Sequence, residues 1–268
     1  MKNKLPYLNG LAFLLVITIN YLSNTGIINN TTIGEVSGEY RNLFTPAGYA
    51  FAIWGLIYLL LAGFVVYQFR ALWKKERAVK VVNDTSGWFL LSCVANSAWV
   101  FCWLYGNLLL SLICMFTLLF ALLKIVWRND MEIWDAPISI IAFVWWPFVI
   151  YSGWIAVASI ANVAAYLTSI EWSGWGISEM SWTLMMIGVA TSLNLLILWK
   201  RNMREFAAVG AWALIAIGIA NKESHDVITN VSFVAAALLL LAAAVHGILN
   251  YKTNPFFKLK EYFSNNDR

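Results

Sequence analysis

The chain is predicted to be an all-α integral membrane protein with about eight transmembrane helices. Three observations predict this. Of its 268 residues, 61% are hydrophobic and only 12% charged, whereas soluble domains run to about 25% charged. Uncharged apolar runs of about 18 residues or more, the length that crosses a bilayer as a helix, recur along the chain. The basic residues gather in alternate loops.

The first span runs from about Tyr7 to Ser23. Lys2 and Lys4 ahead of it would also suit a signal peptide, but "NYLSNTG" is not a small-x-small cleavage site, so a retained helix is expected. The second span runs from Pro46 to Gln68 and the third from Gly87 to Tyr105. Gly106-Asn107 is a tight turn into the fourth, Leu108 to Trp127. The fifth, Pro137 to Leu167, is long enough to be tilted or broken, with Pro147 interrupting it. The sixth runs from Trp182 to Trp199, the seventh from Glu205 to Ala220 and the eighth from Val231 to Leu249.

With the N-terminus inside, Lys2, Lys4, Arg70, Lys74, Lys75, Arg77, Lys80, Lys124, Arg128, Lys200, Arg201, Arg204, Lys252, Lys258, Lys260 and Arg268 all fall on the inner side. Only Arg41 and Lys222 fall outside. Sixteen against two is the bias that fixes topology, and it predicts both termini in the cytoplasm. The same rule accounts for the net charge of +4, so nucleic acid is not an expected partner.

The three cysteines, Cys93, Cys102 and Cys114, sit inside apolar runs and read as small buried hydrophobes. His225 and His246 lie far from them, and no metal-ligand spacing occurs. Two histidines assemble no convincing Ser-His-Asp or Cys-His set, and no span carries a deep carboxylate, so an enzyme is the weaker reading. The scarcity of ionisable residues in the spans argues against an ion-coupled carrier.

Three spans carry rings on one face. The second places Phe51, Trp54, Tyr58 and Ala62 together. The third places Ser92, Asn96, Trp99 and Trp103 together, and the fifth Tyr151, Trp154, Ala158 and Asn162. An asparagine in hydrocarbon needs partners, so Asn96 and Asn162 face other helices or a cavity. Trp and Tyr, with an apolar body and one polar handle, suit the wall of a pocket for a flat ligand. The bland alternatives are interfacial belts for the rings and interhelical glue for the asparagines. Trp172, Trp175, Trp182 and Trp199 fit the belt.

These residues resemble the TspO/MBR family of tryptophan-rich sensory proteins and translocator proteins. "PAGYAFAIWGLIYLLLAG" is similar to that family's second-helix signature through Pro46, Trp54, Tyr58 and Gly63. Thr45 stands where a second proline is usual, and Tyr49 and Phe51 flank the place of an expected ring. Asn96 and Trp99 match the third-helix N-x-x-W; Tyr151, Trp154, Ala158, Ser159 and Asn162 match the fifth-helix pattern, with Ile150 in place of its proline.

The resemblance implies a TspO-like five-helix ligand-binding bundle over residues 1–170; the chain departs from the usual five-helix family pattern in its three additional transmembrane helices and short cytoplasmic tail over 171–268. On this division, a chain ending after Glu171 is expected to keep some binding. The resemblance further implies a pocket beneath the first long loop, made by Phe51, Trp54, Tyr58, Asn96, Trp99, Tyr151, Trp154, Ala158 and Asn162. Arg41 is a candidate partner for a propionate, against a plain solvated loop charge. The implied ligand is a tetrapyrrole, protoporphyrin or haem, with no cofactor required. The implied role is sensory, regulatory or transport; the alternatives are a membrane enzyme of porphyrin breakdown and a transporter of another small hydrophobic molecule. The expected location is a bacterial inner (plasma) membrane. The last three helices have three roles open to them: clasping the bundle, standing in for the second subunit of a homodimer, or carrying a separate activity.

Overall fold

The computed structural model describes residues 4–71, 77–251 and 257–259. Among the described residues every regular element is a helix, and eight segments are long and apolar enough to cross a bilayer. In chain order these are α1 (Leu5–Leu22), α3 (Ile53–Ala71) with a 3-10 turn (Gly48–Ala52) leading into it, α4 (Arg77–Leu104), α5 (Leu108–Arg128), a compound fifth span, α8 (Glu179–Arg201), α9 (Arg204–Asn221) and α10 (Asp226–Leu249). A short helix, α2 (Ile33–Glu39), lies in the first long loop. The fifth span joins α6 (Ile138–Ile140), a π-helical turn (Ile141–Trp145) and α7 (Trp146–Ser169).

The predicted interruption at Pro147 takes the form of that π turn. Proline lacks the N–H, and its ring collides with the carbonyl four residues back, here Phe143. A wider turn ending just ahead of Pro147 makes room, so the segment continues across 32 residues without a break. The eighth span starts at Asp226 rather than Val231, because an acidic residue is stabilised in a first helical turn and does not end the helix.

The helices alternate, so the molecule has two ends. The loop end gathers α2, the Gly106 turn, residues 170–178 and residues 222–225. The other end carries Lys4, Arg70, Lys124, Arg128, Lys200, Arg201, Arg204 and Lys258, and is the basic end. Of the residues counted for orientation, Lys2, Lys74, Lys75, Lys252, Lys260 and Arg268 lie outside the described residues.

Lipid offers no hydrophobic drive for helix association, so packing and internal hydrogen bonds hold the bundle. Asn9 Nδ2 donates to Gln68 Oε1 at 2.8 Å, tying α1 to α3. Asn20 Nδ2 donates to Asn96 Oδ1 at 2.8 Å, and Asn96 Nδ2 donates to the Tyr151 hydroxyl at 2.8 Å, so one chain of bonds joins α1, α4 and α7. Asn162 Oδ1 accepts from Trp99 Nε1 at 2.9 Å while its Nδ2 donates to Ser111 Oγ at 3.0 Å, joining α7 to α4 and α5.

The last three helices are built into this bundle. Gly153 of α7 lets the backbone of Phe206 in α9 approach closely. At the loop end, Ala47 N donates to Ala216 O at 3.0 Å, Trp212 Nε1 to Ala50 O at 3.2 Å and Asn221 Nδ2 to Leu43 O at 3.0 Å. The entry to α3 is thereby stapled to α9. The added helices therefore pack on the bundle through α9.

One acidic group at the basic end makes a testable pH dependence. Glu132, in the loop between α5 and α6, is buried, and its Oε1 has no hydrogen-bond partner among the described residues. Burial, with the Glu205 carboxylate beside it, pushes its carboxyl up to about 8 against a partial opposing pull from Arg204. The unfolded chain loses this proton near pH 4.5, whereas the folded chain keeps it to about 8. Stability therefore falls as pH rises through that window. Thermal melts should drop between pH 5 and pH 8.5, and Glu132→Gln, which keeps the shape without the charge, should flatten the curve and leave the variant the more stable at pH 8.5.

Candidate functional site

The ring-bearing faces converge beneath α2. They enclose a cavity of about 60 Å³. Phe51 comes from the 3-10 turn before α3, Trp54 from the start of α3, Trp99 and Trp103 from α4, Met115 from α5, and Trp154, Val157, Ala158, Ala161 and Asn162 from α7. The roof is Ile33 of α2 with Tyr40, Phe44, Thr45 and Pro46 of the loop that follows. No Asp, Glu, Lys, Arg, His or Cys is among the lining residues.

Local sequence explains the roof. Thr32 caps α2: its hydroxyl accepts from Glu35 N at 3.2 Å, and Glu35 Oε2 accepts from Thr32 N at 2.7 Å. This reciprocal pair stabilises a helix too short to persist alone. Ile33 and Val36 then turn inward, and Trp103 Nε1 donates to Ile33 O at 3.2 Å. Gly106 has φ +68°, a conformation that suits glycine, and so lets α4 turn into α5 under Tyr40.

Of the residues singled out from sequence, Phe51, Trp54, Trp99, Trp154, Ala158 and Asn162 line the chamber. The rings of Phe51 and Trp154 meet edge to face at 6.1 Å, and those of Trp54 and Trp154 at 6.5 Å. Tyr58, Asn96 and Tyr151 stand one turn nearer the basic end and support the wall. Tyr58 stacks on Trp54 at 5.4 Å, and Tyr151 packs edge-on to Trp54 at 5.6 Å while accepting from Asn96. Both asparagines are engaged as interhelical glue, and the polar atoms of Asn162 are already bonded to Trp99 and Ser111. One lining group is different: Trp154 Nε1 is buried, carries a donor and has no partner. An unmet buried donor costs about 1–3 kcal/mol.

Arg41 is not in this chamber. It lines a separate crevice between α7 and α8, and its Nη2 donates to Ala220 O at 3.2 Å. A loop position three residues from Phe44 turns outward, which spacing on a helix face cannot foresee.

Ala213 and Ile217 of α9 complete one wall of the chamber. They were missed because two small or aliphatic residues on an apolar helix carry no ligand signal. They also change an expectation: a chain ending after Glu171 would lack this wall, so its chamber would stand open on the α9 side.

A family model described as TSPO-like protein matches residues 6–245. The chain belongs to the TSPO-like family. The match runs through α8, α9 and most of α10, so these helices fall within the TSPO-like region of the chain. Comparison with curated proteins and with solved structures finds no match. In this TSPO-like protein the second-, third- and fifth-span motifs are thus the parts that meet at one cavity, with α9 closing it.

Proposed function

We propose that this protein binds a flat, largely apolar small molecule in the chamber under α2, in a sensory, regulatory or transport role. A tetrapyrrole such as protoporphyrin or haem is the ligand class to test first. The observation that carries this reading is the convergence of Trp54, Trp99, Trp103 and Trp154 on one space, with the Trp154 N–H left unpartnered. Indole faces hold a flat ring, and a buried donor without an acceptor fits a carbonyl or carboxylate oxygen on the ligand.

Pockets for small molecules measure about 300–1,000 Å³, so a cavity of about 60 Å³ must widen to take such a ligand. Binding therefore requires the roof to move. A second reading, an uncharged polycycle such as a sterol, is favoured by the absence of charged residues from the lining. The two are separated by titrating the purified protein in nanodiscs with protoporphyrin IX, haemin and cholesterol while following tryptophan fluorescence. Saturable quenching by the tetrapyrroles supports the first, a saturable response to cholesterol alone supports the second, and neither response removes the chamber as a ligand site.

The basic end faces the cytoplasm on this reading, as the positive-inside rule requires, in a plasma membrane of bacterial type. In a background without native cysteines, Glu39→Cys in α2 should react with an impermeant maleimide added to intact cells, and Lys200→Cys should react only after the cells are opened. Equal labelling of both in intact cells would reverse or dissolve this orientation.

A further inference from the structure

Towards the loop end α7 and α8 part and leave a crevice of about 630 Å³. Ile160, Ala164 and Leu167 of α7 face Thr183 and Met186 of α8 across it, and Trp172 and Trp182 stand at its loop-end rim. Trp182 Nε1 donates to Gly174 O at 2.9 Å, and Gly174, at φ +68°, lies so close to the Trp182 ring that a Cβ there would stand 3.3 Å from Trp182 Nε1. The rim is therefore a built feature.

Phe44 lines both this crevice and the aromatic chamber. It is only 2% exposed, and its ring is common to the two linings. Its loop is pinned on both sides of the ring. Leu43 N donates to Glu179 Oε1 at 2.9 Å, Leu43 O accepts from Asn221, and Asn42 N donates to Thr45 Oγ1 at 3.0 Å. The backbone is held and the phenyl ring is buried against both linings, so the side chain is the part that a passing ligand would have to displace.

We propose that the crevice is a vestibule through which the chamber's ligand enters from the bilayer between α7 and α8, and that Phe44 is the partition it displaces. The inference rests on the chamber being the ligand site. It addresses a conflict of size: the chamber alone is far too small for a flat polycycle, whereas the crevice is ample and shares the Phe44 side chain with it. Its walls belong to two membrane spans, so an apolar molecule dissolved in the leaflet reaches it without crossing water. The rim sets the chemistry of the occupant. Arg41 there is outnumbered by Glu171 and Glu179, so the vestibule carries no excess positive charge. It takes a flat hydrophobic body with a small, uncharged polar edge in preference to a dianion.

The test uses the full chain in nanodiscs and stopped-flow tryptophan quenching, with protoporphyrin IX dimethyl ester as the uncharged probe. Ala164→Trp, which narrows the crevice at a position that lines the crevice and not the chamber, should slow association and dissociation alike by about tenfold, equivalent to about 1.4 kcal/mol on the barrier, with Kd unchanged. Phe44→Ala should speed both. Phe44→Leu serves if the alanine variant does not fold, and should speed both by less. Free protoporphyrin IX should associate more slowly than its ester. Unchanged rates in Ala164→Trp overturn the route, as does a raised Kd with unchanged association. Absence of saturable quenching in the unmodified protein, by contrast, fails the chamber reading itself.

Discussion

Gly153→Leu is expected to cost more stability than any conservative change to a ring of the chamber. A Cβ at Gly153 would stand 3.2 Å from both Cα and O of Phe206 and 3.3 Å from Cβ of Val209. Two of those three atoms are backbone, which cannot swing aside as a side-chain tip can. The α7–α9 crossing must open instead. Overpacking in a well-fitted interior costs about 1–3 kcal/mol, and a leucine asks for more room than one methyl. In a membrane this loss is not softened by burying the same groups elsewhere, because close packing is itself the force between helices. Gly188 supplies the control. It lies on α8 with nothing near its would-be Cβ, so Gly188→Leu adds the same side chain to a helix without a collision. Thermal melts in detergent should show Gly153→Leu lowered by many degrees, Gly153→Ala lowered by fewer, and Gly188→Leu close to the unmodified protein. A Gly153→Leu melt equal to the control would mean that α9 is not held against α7 as described. Because Ala213 and Ile217 wall the chamber from α9, whatever Gly153→Leu protein survives should also bind ligand poorly.

The same contact shows what sequence reading reached and where it stopped. The eight spans were legible because each is a long apolar run, and the basic asymmetry checked their number. The faces carrying Trp54, Trp99 and Trp154 were legible because helical spacing alone decides which residues share a face. What those faces meet is a matter of three-dimensional packing. Gly153 reads in sequence as one small residue among several, and Ala213 and Ile217 as ordinary lipid-span residues. Their importance comes from the partner helix, which periodicity within one segment cannot report. Loop residues were the least legible of all. Arg41 and Phe44 lie three positions apart, yet one lines only the crevice and the other lines both the crevice and the chamber.

Trp154 is the residue at which a binding role and a packing role give opposite results. Its ring is 3% exposed, packed edge to face against Phe51 and Trp54, and its Nε1 donor is buried without an acceptor. Trp154→Phe keeps an aromatic face and removes the unmet donor. That removal relieves a penalty of about 1–3 kcal/mol, offset in part by the smaller ring. The ligand-free variant should therefore melt at or above the temperature of the unmodified protein. If the N–H is held ready for an oxygen on the ligand, the same variant should bind protoporphyrin IX about fivefold to tenfold more weakly, the loss of one hydrogen bond of about 1–1.5 kcal/mol. Trp154→Leu removes the ring as well as the donor and should weaken binding further, by about another aromatic contact of 0.5–1.5 kcal/mol. Trp54→Leu, which removes a lining face of a half-buried residue but no fully buried unpartnered donor, should weaken binding without the gain in ligand-free stability. The purely structural account of these rings predicts the reverse ordering: melting temperatures that fall from Trp to Phe to Leu at position 154, with Kd unchanged in every protein that survives. Stability and affinity measured on the same four preparations decide between them, because only a donor reserved for a ligand makes Trp154→Phe both a sturdier protein and a weaker binder.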